Sequence, residues 1–539
     1  MRRTAAAAVS VVAALVLVIL APAANASPHV LRVGTYKGVP GQFSSIQAAV
    51  NAAGPGDWIL VGPGDYKTSS ISRPRGRSDL PAGVLITKTG LYLRGMDRNK
   101  VIVDGTRPGA SSCSRTTGGQ NFGPRGAKGP LGLNGILVWK ARNVWVQNLT
   151  ACNFLSGSGD TGNEIWWNGG DHTGRVGGFG YYGSYLNATT SYYNPKRSAA
   201  AAQYGIFSSN WSGGTWKNTY ASNFSDSGYY IGACQQLCNQ TIDGAKAEFN
   251  SLGYSGSNSG GALVVKNSEW DQNSDGFDTN SQNGDNPPPQ NGACPNHGIS
   301  PITHTHSCWV LMNNYIHDNN NPNVPGAGAA GDVAVGTGVS VFGGRNDTLM
   351  RNRIVRNNAW GALLAVFPDS GPPCTGGTLN FTFLIKIGCL YDQWGNAILN
   401  NSFRNNGSDG HATNGDIAAS NFEGGHPTSC FSGNTDSAAA GVTTSPANLQ
   451  QTNPTCNGTL APASPNLPFV LEQLCSNLGA VAGLQIPCPG GHPYPKRTSV
   501  IMHPLPRGLP SMPNPCAGVP ANPWCPGRRS QVTPPPGLG

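Results

Sequence analysis

The chain repeats a short pattern of apolar and polar positions: an apolar residue, two others, Asn, one other, a second apolar residue, two others and a second Asn. The clearest copies are Leu311, Asn314, Ile316, Asn319, then Leu349, Asn352, Ile354, Asn357, and then Ile398, Asn401, Phe403, Asn406. Looser copies are centred on Asn148 and Asn218. Because apolar residues at this spacing fit neither one helix face nor one continuous strand, we interpret each copy as two short strands joined at a bend.

The asparagines of this pattern are expected to be scaffold. Asn tolerates the left-handed backbone of a bend, and stacked coils place equivalent residues about 4.8 Å apart. At that distance their side-chain amides can hydrogen-bond from coil to coil as a ladder. Copies that recur every ~20–50 residues indicate a solenoid, and the longer intervals indicate coils that carry loops.

The segment ahead of the repeats predicts a cap. Residues 43–53 carry apolar side chains at helical spacing, with Ile46 and Val50 on one face, and a strand from Trp58 to Val61 follows. The first coil of an open stack needs a cover, because exposed strand edges promote aggregation. We therefore predict a short capping helix here.

A family resemblance rests on these two features. The string FSSIQAAVNAAGPGDWILVGPGDY, which begins at Phe43, resembles the N-terminal cap of pectin-lyase-like right-handed parallel β-helix proteins. The Asn-containing copies resemble the repeats of the same superfamily, and the resemblance covers about residues 30–435. It implies an all-β right-handed parallel β-helix (solenoid) with an N-terminal capping helix. The superfamily includes pectate lyases, polygalacturonases, pectin esterases, uronan epimerases and proteins without known chemistry, so no single activity is implied.

Composition excludes several other classes. Only 11% of the 539 residues are charged, while 74 are Gly and 42 are Pro. Few charges argue against a coiled coil or a charged helical bundle, and 38% hydrophobic residues argue against wholesale disorder. The net charge of +9 comes without a dense basic cluster interleaved with aromatics, so we expect no nucleic-acid partner. A mildly basic chain suits an acidic polymer such as a uronate polysaccharide.

Both ends of the chain differ from the repeats. Arg2 and Arg3, an apolar run and the sequence Ala24-Asn25-Ala26 predict a secretory signal peptide over residues 1–26 and no membrane span after its cleavage. The β-helix is expected over residues 27–440. Residues 441–539 hold 20 of the 42 prolines and form a Pro-rich, Cys-containing C-terminal extension. It either wraps the last coils, binds an anionic wall polymer, or has no activity of its own.

Fourteen cysteines, an even number, fit a secreted protein with disulfide bonds. The close pairs Cys234 with Cys238 and Cys516 with Cys525 suggest local bridges. Cys294 and Cys308 enclose three histidines, which leaves a transition-metal site open, but in a secreted protein a disulfide around this loop is favoured. The histidines are His297, His304 and His306.

The densest acidic stretch of this acid-poor chain follows Asn267. Glu269 stands where the repeat has an apolar residue, and Asn273 comes one position late, which predicts a β-bulge of the kind found beside sites. By contrast, His317 and Asp318 follow a repeat and are interpreted as exposed turn residues. The acidic residues of the stretch are Glu269, Asp271, Asp275, Asp278 and Asp285.

Three short strings in this region resemble polygalacturonase motifs and follow the order in which that family has them. They are Asn273-Ser274-Asp275, Gly284-Asp285-Asn286 and Asn296-His297-Gly298. The resemblance implies Asp275 as a general acid, Asp285 as one of two carboxylates that activate water, and His297 as a supporting histidine. Arg353 followed by Ile354 resembles the substrate-binding Arg-Ile pair. The chain departs from the family at Asn286, where a second Asp belongs.

Asp278 is a further candidate for a catalytic carboxylate. Asp275 and Asp278 on one regular strand would point to opposite faces, so both can face one cleft only if Gly276 turns the chain.

The same stretch also resembles the calcium-binding coil of some pectate lyases. Asp271, Asp275, Asp278 and Asp285 would then be Ca²⁺ ligands, because calcium prefers hard oxygen donors. A base would remove the C-5 proton of a uronate; the candidates are Lys266, Arg351, Arg353 and Arg356. The remaining interpretation is that these Asp residues only form turns.

The sequence thus predicts a secreted, monomeric β-helix protein that binds or degrades an extracellular acidic polysaccharide. If it is an enzyme, it is a polysaccharide lyase or a glycoside hydrolase, pectate-lyase-like or polygalacturonase-like. The alternative is a non-catalytic β-helix scaffold that binds glycan or a cell surface.

Overall fold

The computed structural model describes residues 28–170, 175–234, 237–282, 289–326, 334–369, 375–377, 389–476 and 484–527. The chain winds into coils whose strands stack in parallel, each pairing with the equivalent strand of the next coil. A 21-stranded sheet has two parts, which we call sheet 1 and sheet 2; the strands Val144–Cys152 and Tyr181–Thr189 run through both. Sheet 3 is the separate 11-stranded sheet. This architecture confirms the predicted all-β right-handed parallel β-helix.

The strands of the three sheets are as follows. Besides the two shared strands, sheet 1 contains Val30–Val33, Trp58–Val61, Tyr92–Gly95, Gly214–Lys217, Leu237–Asp243, Gly261–Lys266, Trp309–Met312, Asp347–Met350, Ala397–Leu399 and Cys430–Ser432. Sheet 2 contains Gly64–Lys67, Val101–Asp104, Tyr220–Ser222, Lys246–Glu248, Glu269–Asp271, Tyr315–His317, Arg353–Val355, Ser402–Arg404 and Thr435–Asp436. Sheet 3 contains Ala82–Ile86, Asn134–Trp139, Asn163–Asn168, Tyr204–Ser209, Ser227–Gly232, Leu252–Ser255, Asp275–Asn280, Thr337–Phe342, Trp360–Ala365, Gly415–Ala419 and Thr444–Ser445.

The remaining elements are short. Two-stranded sheets join Thr35–Tyr36 to Val39–Pro40, Arg125–Gly126 to Gly129–Pro130, Gly178–Phe179 to Trp211–Ser212, Phe367–Asp369 to Cys389–Tyr391 and His426–Pro427 to Leu460–Ala461. The α-helices are Ile46–Ala52, Leu449–Thr452 and Leu467–Cys475, and the 3₁₀ helices are Thr117–Gly119, Pro195–Ala200, Pro295–His297 and Pro489–Gly491. Within the described part of the chain, no helix is both long and apolar enough to span a membrane.

The helix Ile46–Ala52 forms where the apolar spacing predicts one. It begins at Ser45, whose Oγ accepts a hydrogen bond from the Ala48 N–H at 3.2 Å. Ile46, Ala49 and Val50 are buried in the main core. The helix therefore packs its apolar face against the first coils.

Two ladders of side-chain hydrogen bonds run along the bends of the coils. Asn319 shows the arrangement: its Oδ1 accepts from the backbone N–H and the Nδ2 of Asn273 at 3.3 and 3.0 Å, and its Nδ2 donates to Asn357 Oδ1 at 3.1 Å and Trp270 O at 3.0 Å. The bend after sheet 1 holds Ser268, Asn314, Asn352, Asn401 and Asn434, and the bend after sheet 2 holds Asn250, Asn273, Asn319, Asn357 and Asn406. Gln450, in the helix Leu449–Thr452, ends the first ladder by accepting a hydrogen bond from Asn434 Nδ2. The predicted amide ladder is confirmed.

The left-handed backbone lies one residue earlier than expected in the regular copies. Asp318, Arg351 and Arg356, which precede ladder asparagines, have φ of 53°, 55° and 57°. In the looser copies Asn148 and Asn218 are themselves left-handed, with φ of 58° and 54°. The Asn pattern of the sequence fits these two copies only loosely. In them, the Asn itself has the left-handed backbone of the bend and therefore lies one position away from the ladder.

The bulge predicted after Asn267 is wrong. Ser268 occupies the ladder position, and its N–H donates to Asn314 Oδ1 at 3.0 Å. Trp270 then lies in the ordinary inward register, paired with Ile316, and Glu269 pairs with Tyr315. The pattern is shifted by one position because Ser replaces Asn, so no residue is inserted.

Six disulfides join described cysteines, which fits an oxidising compartment. They are Cys113–Cys152, Cys234–Cys238, Cys294–Cys308, Cys430–Cys456, Cys475–Cys488 and Cys516–Cys525. The three bridges that the sequence suggested are among them. The predicted signal peptide, residues 1–26, lies outside the described residues.

The C-terminal extension runs back along the stack. Its helix Leu467–Cys475 packs on sheet 3, where Phe469 contacts Trp360 at 5.5 Å between ring centroids. We call residues 484–527 the strap. Its contacts, in chain order, are Tyr494 with Trp360, Ile501 with Asn323, His503 with Phe249 and Asn223, Ser511 with Asn148, Ala517 with Arg94, and Trp524 with Val39.

We expect Asn319→Ala to destabilise the stack. The change leaves the buried Trp270 carbonyl and the Asn273 N–H without their partners, which should lower the free energy of unfolding by on the order of 3 kcal/mol. Urea denaturation followed by circular dichroism measures the loss. Asn457→Ala is the control, because Asn457 is exposed and bonds only within its own turn. An equal shift in both variants would contradict the ladder's role.

Candidate functional site

The predicted carboxylates Asp275 and Asp278 form a buried pair on sheet 3. Ser340 Oγ donates to Asp275 Oδ2 at 2.6 Å and lies 2.9 Å from Asp278 Oδ1. Asn280 Nδ2 donates to Asp278 Oδ2 at 2.5 Å, and both aspartates are at most 3% exposed. The two side chains therefore meet at one hydroxyl.

A glycine between them explains why they share a side. A Cβ at Gly276 would lie 2.6 Å from the backbone oxygen of Gly338 in the next coil, so this position has no room for a side chain. The next residue, Phe277, points into the core and stacks on Tyr254 at 4.1 Å. Gly276 interrupts the alternation of side chains between the two faces of the strand. Such an interruption is required for Asp275 and Asp278 to face the same side, as expected from the sequence.

Burial raises the pKa of both carboxyl groups. The pKa of Asp278 rises to about 6, and that of Asp275 rises well above its usual range because the neighbouring charge of Asp278 adds to burial. Hydrogen bonds from Ser340 offset only part of the effect. The raised pKa values favour a proton held between the two groups, as in other closely spaced carboxyl pairs.

The other predicted site residues lie elsewhere. Asp285 lies outside the described residues. His297 is exposed in the short helix Pro295–His297, inside the loop that Cys294–Cys308 closes. Nδ1 of His306 contacts the carbonyl oxygens of His297 and Gly298, at 3.2 and 3.0 Å. Asp271 and Arg353 belong to sheet 2, on a different side of the coil from Asp275.

Asp271 belongs to a cluster of charged side chains on the outward face of sheet 2. The residues lie in register on three consecutive coils, outside the inward row of Ala247, Trp270 and Ile316. We call this group the sheet 2 cluster. Its members are Lys246, Glu248, Glu269, Asp271 and His317.

Close polar contacts hold the cluster together. The Lys246 ammonium lies 3.1 Å from Glu248, 3.2 Å from Glu269 and 3.6 Å from Asp271. Nε2 of His317 contacts Glu269 Oε1 at 3.3 Å. Asp271 is 7% exposed, and its Oδ1 is buried without a hydrogen bond.

His317 is fixed from its other nitrogen. Nδ1 of His317 contacts Asp318 Oδ2 at 2.7 Å, and Arg356 holds Asp318 through two bonds of 2.8 and 2.5 Å. The expectation that His317 is an exposed turn residue is wrong, since it is 8% exposed and lies in the strand Tyr315–His317. A carboxylate on one ring nitrogen orients the other nitrogen toward Glu269 and Asp271.

The surroundings of Glu269 and Asp271 shift the pKa values of these two carboxyl groups in opposite directions. Hydrogen bonding from His317, with the charge of Lys246, lowers the pKa of Glu269 to about 2. Burial raises the pKa of Asp271 to about 6, although Lys246 opposes the rise. Burial lowers the pKa of His317, but its bonds to Glu269 and Asp318 outweigh that effect and leave the pKa raised. At pH 6 an ionised Glu269 therefore adjoins an Asp271 that is about half protonated.

Arginines continue this face toward the C-terminal coils. Arg351 and Arg353 are exposed and line a shallow depression of about 700 Å³ together with Lys246, Glu269 and Tyr315. The Arg353 guanidinium lies 4.6 Å over the Tyr315 ring. Arg404, also exposed, follows Val355 in the row that contains His317.

The predicted calcium ligands do not form one group among the described residues. Asp271 lies on sheet 2, whereas Asp275 and Asp278 lie on sheet 3. Potential ligand atoms of Glu269, Asp271 and His317 lie within 4.8 Å of one another, a spacing that could hold a metal ion. The Lys246 ammonium already supplies a positive charge to the same carboxylates, so calcium dependence stays a prediction.

Sequence reasoning missed most of the sheet 2 cluster. His317 and Glu269 are 48 positions apart in the chain, and Lys246 lies in a coil whose repeat is degraded. The sequence did contain a signal for this row of residues. If Ser is accepted at the ladder position, Glu269, Tyr315 and Arg353 each stand one residue before an inward-facing side chain and so align on the outward face.

Among known proteins, the chain shows likeness in structure but not in sequence. No protein-family model and no curated protein sequence matches the chain. Among solved structures, the A-module of the Azotobacter vinelandii mannuronan C-5 epimerase AlgE4 is 16% identical, with 73% of this chain and 91% of that chain covered and a TM-score of 0.41. The alginate lyase from Paenibacillus sp. str. FPU-7 is 13% identical, with 70% and 95% covered and a TM-score of 0.38. Pectate lyase Pel9A is 13% identical, with 78% of both chains covered and a TM-score of 0.37.

The parallel β-helix fold of this chain is given by its own stacked parallel sheets.

We expect the buried pair on sheet 3 to make the protein less stable as pH rises. Unfolded carboxyl groups lose protons near pH ~4, whereas burial raises the pKa of Asp278 to about 6 and the pKa of Asp275 well above its usual range. The folded state thus binds more protons above pH ~4, and its stability falls as pH rises. Asp275→Asn imitates the protonated acid, so its melting temperature relative to wild type should rise between pH 4 and pH 8.

Calorimetry across this pH range measures the difference. Asp97→Asn is the control, because Asp97 is partly exposed and its carboxylate contacts the Asn99 N–H and Lys100. A difference between Asp275→Asn and wild type that stays constant with pH would contradict the burial of a shared proton.

Proposed function

We propose that this protein binds an acidic polysaccharide along the outward face of sheet 2 and cleaves it by acid–base chemistry at the sheet 2 cluster. The observation that carries the proposal is the pairing of an ionised Glu269 with an Asp271 of raised pKa, beside a depression lined by Arg351 and Arg353. Glycoside hydrolases use two carboxyl groups with different pKa values, one protonated as the general acid and one ionised as the nucleophile or base.

Asp271 is the general acid of this proposal. It donates its proton to the glycosidic oxygen as the bond to the anomeric carbon breaks, so the leaving sugar departs as an alcohol. Glu269 attacks the anomeric carbon, and water releases the sugar in a second step. Their oxygen atoms lie within 4.8 Å, which is nearer the ~5 Å of a retaining pair than the ~6.5–9.5 Å of an inverting pair.

The other members of the cluster support these two. His317 and Lys246 keep Glu269 ionised, and Asp318 with Arg356 holds the His317 ring in place. The exposed Arg353 and Arg404 are suited to bind sugar carboxylates, because a guanidinium matches a carboxylate with two parallel hydrogen bonds. An acidic substrate is therefore favoured over a neutral one.

Hydrolysis is favoured over elimination on the charges of the cluster. Elimination needs an unprotonated base to take the C-5 proton. Burial lowers the pKa of Lys246, but the charges of Asp271, Glu248 and Glu269 outweigh it and raise the pKa. The pKa of His317 is also raised, which favours the protonated form that cannot act as a base. Calcium, which the sequence leaves open as a cofactor, would serve elimination by neutralising the uronate.

Glu269→Gln and Asp271→Asn should each reduce turnover by about 10²–10⁴-fold. Activity should also fall as pH rises above 6, because Asp271, with a pKa of about 6, must be protonated to donate. The assay uses polygalacturonate and alginate, with Ca²⁺ or with chelator, and follows reducing ends and the absorbance of unsaturated uronides.

Glu423→Gln, which alters a distant carboxylate paired with His426, should retain activity. New reducing ends without unsaturated products would support hydrolysis. Unsaturated products that require Ca²⁺ would instead show that the reaction is an elimination. Loss of activity in Asp275→Asn but not in Glu269→Gln would move the site to sheet 3. Retention on a glycan column without product from any substrate would leave a binding scaffold.

Arg353→Gln and Arg404→Gln should weaken substrate binding and leave the chemical step largely intact. Each loses a charge-assisted contact, so KM should rise by about tenfold with little change in kcat. The effect should shrink as salt is raised, because exposed charges are screened. Arg115→Gln, also an exposed arginine, is the control. A fall in kcat at constant KM would contradict a binding role.

A further inference from the structure

The strap crosses the outward face of sheet 2. At one edge, His503 stacks on Phe249 at 3.7 Å, and its backbone bonds Asn223 in both directions, at 3.0 and 2.8 Å. At the other edge, Ser511 Oγ and the Met512 N–H donate to Asn148 Oδ1, both at 2.9 Å. Phe249 and Asn223 follow sheet 2 strands, and Asn148 lies at the bend before sheet 2. The strap therefore traverses the width of the sheet between residues 503 and 512.

A buried arginine holds the strap close to this second edge. Arg98 is 3% exposed and donates to Pro510 O at 2.9 Å, Leu186 O at 2.7 Å and Asn187 Oδ1 at 2.6 Å. Asn187 lies on sheet 2 in the row that continues to Tyr220, Lys246 and Glu269. The strap thus lies across the row that carries the candidate site, on its N-terminal side.

Exposure changes along this outward row. On the N-terminal side, Thr150, Asn187 and Tyr220 are 2%, 0% and 2% exposed. On the C-terminal side, Arg353 and Ser402 are exposed. Lys246 and Glu269 lie at the transition and are half-buried. This row is therefore covered up to Tyr220 and open at Arg353 and Ser402, while His317 and Val355 in the neighbouring row stay buried.

From this we infer that the strap makes the protein act at chain ends. A polysaccharide along sheet 2 can extend over Arg353 and Arg404, but it meets the strap immediately beyond Lys246. An internal glycosidic bond would need sugars on both sides of Glu269 and Asp271, and the crossing leaves no length of open face for the second side. This inference rests on the proposed function and adds the mode of attack to it.

The test compares the products of the full-length protein with those of a loosened strap. Polygalacturonate and alginate are the probes, and product lengths are followed from the first minutes together with viscosity. Chain-end action releases one short product from the start while viscosity falls slowly. A broad ladder of oligomers from wild type at early times would overturn the inference and leave the proposed function standing, whereas absence of product would overturn the proposed function itself.

The loosened variant replaces Leu505–Leu509 by a longer Gly/Ser loop. The surrounding contacts at His503 and Ser511 stay in the chain, so the fold should persist, and its melting temperature is measured first. The matched control carries the same insertion at the exposed turn of Gly458, which has open space around it. We expect the loosened variant to shift from one short product to a ladder with faster viscosity loss. Identical products from the variant and the control would overturn the strap as the cause.

Discussion

The hydrogen bond between side-chain amides of neighbouring coils is the constraint on which the rest of this structure depends. Each ladder amide satisfies a backbone N–H of the preceding coil and a carbonyl that the bend would otherwise leave unpaired in the interior. Because the same side chain bonds the next amide, the register of each coil fixes the register of the following one. The rows of outward side chains on sheet 2 inherit that register, so the contacts between Glu269 and His317 depend on Asn273 and Asn319.

Much of the fold could be predicted from the sequence because the ladder requires Asn at fixed positions. Apolar residues around Asn314, Asn352 and Asn401 identified the coils, and the segment from Phe43 identified the cap. Ser268 shows where this reasoning fails. A hydroxyl oxygen accepts the same backbone bond as an amide oxygen, as it does from the Ala245 N–H at 3.0 Å, so the structure tolerates a substitution that shifted the sequence pattern by one position.

The site was harder to predict for a related reason. Acidic residues close together in the chain, from Asp271 to Asp278, divide between two faces because a bend lies between them. Residues far apart in the chain meet because coils differ in loop length while their strands keep register. A local search for motifs therefore found Asp271 and Arg353 but not the partners that set their chemistry, His317 and Lys246.

The contact of Trp524 with Val39 joins residues 485 positions apart. In an open repeat array each unit touches only its neighbours, so the ends can fray and unfolding can spread inward one unit at a time. Here the last described part of the chain lies on the first strands, and its contacts spread over many coils between. The array is in effect a closed loop, and no coil at the N-terminal end can detach without also releasing the C-terminus. Unfolding of the stack should therefore be more cooperative than its repetitive construction suggests.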